Sequence, residues 1–72
     1  MMKGNLYFQD IDGKEELVAE NITKEEANAK ALEDLKKRAP NFKSYYQRCW
    51  DDAFGRFWID VGSHLCFYIW HE

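Results

Sequence analysis

The residues whose chemistry could support catalysis are Ser63, His64 and Asp60, close to the end of the chain. Hydrolytic catalysis needs such a set, with a nucleophile, a base and an orienting group held in one place. Ser63 and His64 are neighbours on a predicted turn, however, so their side chains should diverge. The four glycines are scattered along the sequence, which excludes a glycine-rich phosphate-binding loop. We therefore expect a protein that is not an enzyme.

Two cysteines and two histidines supply the residue types of a metal site, at Cys49, His64, Cys66 and His71. Their spacing contains neither a Cys-x-x-Cys nor a His-x-x-x-His pair. The strand register favoured below also places Cys49 on the core side of the sheet, away from Cys66. We expect no metal ion and no cofactor, with both thiols reduced.

Length and charge limit the number of domains and the kinds of partner that we expect. A chain of 72 residues forms one domain, here spanning 1–72, with a thin core. Ten basic and thirteen acidic residues give a net charge of −3, which argues against a binder of duplex DNA. The sequence has neither a secretory signal nor an apolar run long enough to span a membrane. We expect a cytoplasmic protein.

A hairpin is predicted at the start of the chain. Asp12-Gly13 separates residues 5–11 from residues 14–20 and is a two-residue turn signal, because glycine accepts a positive φ. This turn would pair Phe8 with Leu17 and Leu6 with Ala19 on the core side. Tyr7 and Gln9 would lie on the half-solvated side.

A helix should follow the hairpin. Thr23-Lys24-Glu25-Glu26 has the pattern of a capping box, and Ile22 before it can pack on Ala27. The helix should run from about Lys24 to Ala39, since Pro40 prevents its continuation. Its small apolar side would allow a close approach to a sheet.

Three strands are predicted after the helix, at about 43–50, 56–61 and 65–70. The expected fold is therefore α+β in the order β-β-α-β-β-β, with one helix packed on one face of a single antiparallel sheet. Two registers are open for the last hairpin. A two-residue turn at Gly62-Ser63 would place Tyr68 and Trp70 on the same face as Phe57 and Ile59. We favour a three-residue loop, which pairs Ile59 with Phe67 and makes one face of the sheet wholly apolar.

That choice collects large rings and arginines on the opposite face, which the single helix cannot cover. We predict that this face binds a partner through Tyr46, Arg48, Trp50, Arg56, Trp58, Tyr68 and Trp70. Pairing Trp50 with Arg56 would form the rows Trp50/Arg56/Trp70, Arg48/Trp58/Tyr68 and Tyr46/Asp60/Cys66. The first two of these rows would place a guanidinium group between large rings.

Several interpretations of this aromatic face stay open. Exposed Trp, Tyr and Arg residues are typical of protein interfaces, so a protein partner or self-association leads. Single-stranded nucleic acid could stack on the same rings, although the net charge disfavours it. The acidic residues Asp51, Asp52 and Asp60 could instead imitate nucleic acid and inhibit an enzyme that handles it. The rings could also serve only to stabilise the sheet by cross-strand stacking.

The segment Trp58-Ile59-Asp60-Val61-Gly62-Ser63-His64, followed by Phe67-Tyr68, resembles the ends of small uncharacterised proteins of Gram-positive bacteriophages and integrated mobile elements. Pro40-Asn41-Phe42 and the Thr23 to Ala27 segment are similar to the same group. Val61 stands where that group usually has an aromatic residue. The resemblance implies a regulatory or host-interaction role and assigns no functional residue.

Overall fold

The computed structural model describes residues 2–42, 47–62 and 66–72. The strands are β1 (Lys3–Gln9), β2 (Glu15–Thr23), β3 (Arg48–Asp51), β4 (Phe57–Asp60) and β5 (Phe67–His71), and the helix is α1 (Lys24–Arg38). The five strands form one antiparallel sheet in the order β2-β1-β5-β4-β3, and α1 packs on one of its faces. The predicted α+β fold is confirmed. Within the described residues, no helix is long and apolar enough to cross a membrane.

The helix begins where the capping box predicts. The Glu26 amide donates to the Thr23 hydroxyl at 3.2 Å, and the Thr23 amide donates to the Glu26 carboxylate at 2.9 Å. The two bonds satisfy two backbone amides at the helix start. The bonds that the Glu26 carboxylate accepts from the Thr23 amide and hydroxyl lower the pKa of Glu26. At the other end Ala39 caps the helix, so α1 ends one residue earlier than predicted.

The two hairpin turns that lie wholly within the described residues have the same pattern, an aspartate followed three residues later by glycine and then by a basic residue. In the first, the Asp10 carboxylate accepts the amides of Asp12 and Lys14 at 2.9 and 3.0 Å, and Gly13 has φ 84°. In the second, Asp52 accepts the amides of Phe54 and Arg56 at 2.8 and 3.0 Å. Gly55 there has φ 80°. Glycine is required because the fourth position is left-handed in each turn.

The first turn corrects the predicted pairing of β1 with β2. The loop has three residues, 11–13, rather than the two of the prediction. Phe8 therefore lies opposite Glu16, not Leu17, and Tyr7 lies opposite Leu17. A register irregularity beyond Tyr7 restores the predicted pairing of Leu6 with Ala19.

The register of β4 with β5 differs from the one that we favoured. Phe57 lies opposite Trp70 and Ile59 lies opposite Tyr68, so the predicted placement of Tyr68 and Trp70 on the uncovered face is wrong. Both rings are buried beneath α1. The Tyr68 hydroxyl donates to Asp34 at 2.7 Å, and the Trp70 indole donates to the Ile22 carbonyl at 3.0 Å.

The composition of the helix explains why the rings fit beneath it. Ala27 and Ala31 are both fully buried at the contact with the sheet. Their small side chains leave room that aliphatic residues from β5 would not fill, and large rings bury more area in that space. The core on this side consists of Leu6, Ile22, Ala27, Ala31, Ile59, Val61, Tyr68 and Trp70.

Candidate functional site

The face of the sheet opposite α1 is the candidate site, and we call it the open face. Successive strand residues point to alternate faces, so the contacts of α1 with one set assign the other set to the open face. Among the described elements, none packs against it. Its side chains are Leu17, Tyr7, Gln9, Phe67, Ile69, His71, Trp58, Asp60, Arg48, Trp50 and Glu15, with Arg56 and Asp52 at the end of β4 and β3.

A continuous apolar row crosses the open face through all five strands. Tyr7 lies opposite Leu17 on one side and Ile69 on the other, Ile69 lies opposite Trp58, and Trp58 lies opposite Trp50. Four interstrand spacings make this row about 19 Å long. Its ends are the most accessible, with Leu17 45% and Trp50 39% exposed, whereas Ile69 at the centre is fully buried.

The rings of the open face stack on one another. Trp50 and Trp58 lie nearly parallel, at 6° and with 6.0 Å between ring centroids. Phe67 meets them edge-on at 6.2 and 5.6 Å. Tyr7 and His71 stack separately at 5.0 Å. Contacts of this kind fix the rings in place and give the face a defined shape.

The two arginines lie next to these rings, though not in the rows that we predicted. Trp50 lies opposite Trp58 rather than Arg56, because the β3–β4 turn contains three residues. The Arg48 guanidinium lies 5.9 Å from the Trp50 ring, and that of Arg56 lies 5.3 Å from the Trp58 ring. Each arginine thus makes a cation–π contact with one indole.

Each of these arginines is also paired with an acid. Arg48 contacts Asp60 at 3.1 Å, and the buried Asp60 carboxylate accepts the Gly62 amide at 2.9 Å as well. Arg56 contacts Asp52 at 2.8 Å. The positive charge of the open face is therefore balanced by carboxylates of the same face, which reduces its attraction for a polyanion.

Asp52 holds Trp58 in position. One carboxylate oxygen accepts the Trp58 indole N–H at 2.8 Å and the Arg56 Nε–H at 2.8 Å. The indole bond and the amides of the turn hold the pKa of Asp52 well below its usual range. The sequence analysis considered Asp52 as part of an acidic surface and did not predict its role in the turn. The Asp-x-x-Gly-basic spacing that it shares with Asp10 was the signal for its role in the turn.

Of the seven predicted site residues, four lie together on the open face: Arg48, Trp50, Arg56 and Trp58. Tyr68 and Trp70 lie beneath the helix instead, and Tyr46 lies outside the described residues. The sequence interpretation missed Leu17, Phe67, Ile69 and His71 as members of this face. The observed β4–β5 register sets the side to which Phe67, Ile69 and His71 point. It has the faces of the two-residue-turn alternative, but its residue pairs match neither register that we considered. Leu17 was misplaced by the two-residue turn.

The cysteines lie on the covered side of the sheet. The Cys49 thiol is 3.4 Å from the Asn28 side-chain oxygen on α1, and Cys66 lines an apolar cavity of about 170 Å³ with Phe8 and Leu35. The expectation that they lie on opposite faces is wrong for Cys66, for the same reason as for Tyr68. In the described ranges, no three metal-ligating side chains form a group. Ser63 and His64 lie outside those ranges.

Comparison with known proteins adds no relative to this description: no family model, no curated protein and no solved structure matches the chain.

Proposed function

We propose that this chain is a small, non-enzymatic regulatory protein that binds another protein, or a second copy of itself, through the open face. The observation that supports the proposal is the apolar row from Leu17 to Trp50. It is about as long as the sheet is wide, and it lies on the face that α1 does not cover. Stacked Trp rings next to Arg are the residue types that dominate the binding energy of protein interfaces.

The exposure at the two ends of the row separates this role from simple stabilisation of the sheet. Trp50 lies on the edge strand β3, all of whose residues are exposed. Cross-strand stacking on Trp58 buries one side of its ring and leaves 39% of the residue accessible. Rings that served the sheet alone would gain nothing from this remaining exposure, whereas a partner would bury it.

A protein partner fits the charges of the face better than the alternatives. Arg48 and Arg56 are each paired with a carboxylate, so the two pairs carry little net charge to attract a polyanion, although the Arg48 side chain stays 60% exposed. The acidic residues proposed as a nucleic-acid imitation are engaged as well. Asp51 pairs with Lys24 at 2.7 Å on the covered side, and Asp60 is buried. The Asp51 side chain remains 61% exposed, but each of the three aspartates is paired with a base, so together they present little net negative charge.

The proposal is tested with Trp50→Lys and a matched control, Leu32→Lys. Leu32 lies on α1 and is 37% exposed, close to the 39% of Trp50, so both variants place a charge at a half-accessible apolar site. Immobilised wild-type chain is used to capture proteins from a host lysate. The resemblance to phage and mobile-element proteins makes a Gram-positive bacterial lysate the first choice. Each captured protein is then purified and its binding measured by calorimetry.

We expect Trp50→Lys to weaken the binary complex by at least about tenfold, because it replaces a tryptophan contact with an unpaired charge, and Leu32→Lys to leave it unchanged. Equal effects of the two substitutions, or none, would refute the role of the open face. The dependence on salt separates the nucleic-acid alternative. Affinity for a single-stranded oligonucleotide should fall steeply between about 50 and 200 mM salt, whereas a mostly apolar protein contact should fall much less.

A further inference from the structure

We infer that the partner of the open face is a second copy of this chain, packed face to face about a twofold axis that runs parallel to the strands. This inference rests on the protein-binding role proposed above and specifies its occupant. It depends on the distribution of charge across the face as well as on the apolar row.

A second row of side chains crosses the open face beside the apolar row. It carries a negative charge at one edge of the sheet and a positive charge at the other. Gln9 lies opposite Glu15 on β2 and opposite Phe67 on β5, and Arg48 lies opposite Asp60. Continuing the β4–β5 register by one pair places Asp60 beside Phe67. The row therefore begins with the exposed carboxylate of Glu15 and ends with the Arg48 side chain, which is 60% exposed.

A twofold axis parallel to the strands makes this row complementary to itself. Such a rotation reverses the order of the strands but preserves the position of each residue along the strand direction. Strand β3 of one copy therefore lies over β2 of the other. Arg48 then meets Glu15 of the second copy, and the same pair forms again at the other edge. In the apolar row, Trp50 packs on Leu17 of the second copy, and the axis passes over the central strand β5. Two aligned sheets pack in this way about 10 Å apart.

The other twofold arrangement lacks this match. An axis perpendicular to the strands would place each strand over itself. Trp50 would meet Trp50, Leu17 would meet Leu17, and Glu15 would lie over β2 of the second copy, far from the arginines. Both arginines of the face lie on the β3–β4 side of the sheet, so reversal of the strand order brings a guanidinium group to Glu15.

The size of the face sets the strength of the dimer. Four interstrand spacings and three rows of side chains give a footprint of roughly 25 by 20 Å, or about 500 Å² on each copy. The total of about 1,000 Å² is at the lower limit for a specific interface. We therefore expect a reversible dimer that is half assembled at a concentration between about 10 μM and 1 mM.

The inference is tested by sedimentation velocity over a concentration series, with Glu15→Arg, Arg48→Glu and an equimolar mixture of the two. Each variant alone sets like charges against each other at both edges. The mixture restores two opposite pairs. We expect each single variant to weaken the dimer about tenfold and the mixture to form a heterodimer. Glu33→Arg makes the same change in charge on α1 and should leave the wild-type affinity unchanged.

A second measurement covers the case in which Arg48→Glu fails to fold beside the buried Asp60. Salt should weaken the wild-type dimer, because it screens attraction, and should strengthen the residual Glu15→Arg dimer, because it screens repulsion. A dimer with the same affinity in Glu15→Arg and wild type overturns the proposed geometry. Wild-type chain that stays monomeric at about 1 mM overturns the dimer. If it still binds a captured protein in a Trp50-dependent way, the proposed function stands.

Discussion

Replacing Tyr68 by phenylalanine removes one oxygen atom from the side chain and tests which face of the sheet β5 presents to the helix. The Tyr68 ring is fully buried, and its hydroxyl donates to the Asp34 carboxylate at 2.7 Å. Phenylalanine fills nearly the same volume, so the substitution leaves the packing of the core intact and removes the hydrogen bond alone.

The expected loss follows from the state of the acceptor. A hydrogen bond to a charged group contributes about 1.5–3 kcal/mol to the free energy of unfolding. The Asp34 carboxylate is 20% exposed and keeps Arg38 as a partner, so it is not left isolated when the hydroxyl is removed. We therefore expect the lower end, about 1.5 kcal/mol, or a fall in melting temperature of about 6–12 °C for a domain of this size.

Urea unfolding followed by far-UV circular dichroism measures the change, with Tyr7→Phe as the matched control. Tyr7 lies half-buried on the open face, so its substitution should change the free energy of unfolding by less than about 0.5 kcal/mol. Equal effects of the two substitutions would refute the assignment of Tyr68 to the covered side. Equal effects are what the register that we first favoured predicts, because that register places both hydroxyls on the uncovered face.

Wild type and Tyr68→Phe together also test the ionisation of Tyr68. Burial and the hydrogen bond to Asp34 raise the pKa of Tyr68 in the folded state above its unfolded value of about 10. The stabilisation is therefore fully present below pH 10 and is lost as the pH rises through the folded pKa. We expect the difference in stability between wild type and Tyr68→Phe to shrink as the pH is raised above 10. A difference that stays constant to the highest pH at which the chain remains folded would contradict a buried, hydrogen-bonded hydroxyl.

Three further predictions address the helix cap, a close backbone contact and the second hairpin turn. Thr23→Ala should lower the free energy of unfolding by about 1 kcal/mol, since it removes the acceptor for the Glu26 amide, and an unchanged urea midpoint would argue against the cap. Gly4→Ala should cost about 2 kcal/mol or more, because a Cβ there would lie 2.3 Å from a backbone oxygen of β5. Gly13→Ala, with φ 84° and open space, should cost only about 1 kcal/mol, and the reverse order would contradict the strand contact. The contribution of Asp52 should be present above about pH 4 and be lost as the pH falls through its lowered pKa. Asp52→Asn should therefore reduce the fall in the free energy of unfolding at acid pH and alter the tryptophan fluorescence. A fall as steep as that of wild type would exclude the Asp52 carboxylate as its source.

Elements specified by short stretches of sequence were predicted well. The start of α1 depends on residues within one turn of each other, Thr23 and Glu26, and Pro40 fixes where the helix can no longer continue. The positions of both hairpin turns were evident from glycine. Their length was not, because the aspartate that accepts the turn amides lies outside the two-residue signal at Asp12-Gly13. That single extra residue decided which side chains of β2 face Tyr7 and Phe8.

Four residues of the candidate site were also predicted from the sequence around them. Arg48, Trp50 and Trp58 alternate with apolar residues such as Ile59, so their face follows from the period of two in β3 and β4. The error in pairing Trp50 with Arg56 changed their neighbours without changing their face. Tyr68 and Trp70 were misplaced because the segment from Cys66 to Trp70 is apolar on both sides, which removes the alternation that would have fixed its orientation.

The sequence by itself determined the class of fold, the bounds of the helix and the edge-strand half of the open face, because these follow from contacts between residues close together in the chain. The tertiary structure decided the orientation of β5. The Tyr68 hydroxyl and the Trp70 indole N–H need acceptors once they are buried, and they find them in Asp34 and the Ile22 carbonyl, 34 and 48 residues away. Only the folded arrangement brings those acceptors within reach, and it leaves Phe67, Ile69 and His71 to complete the open face.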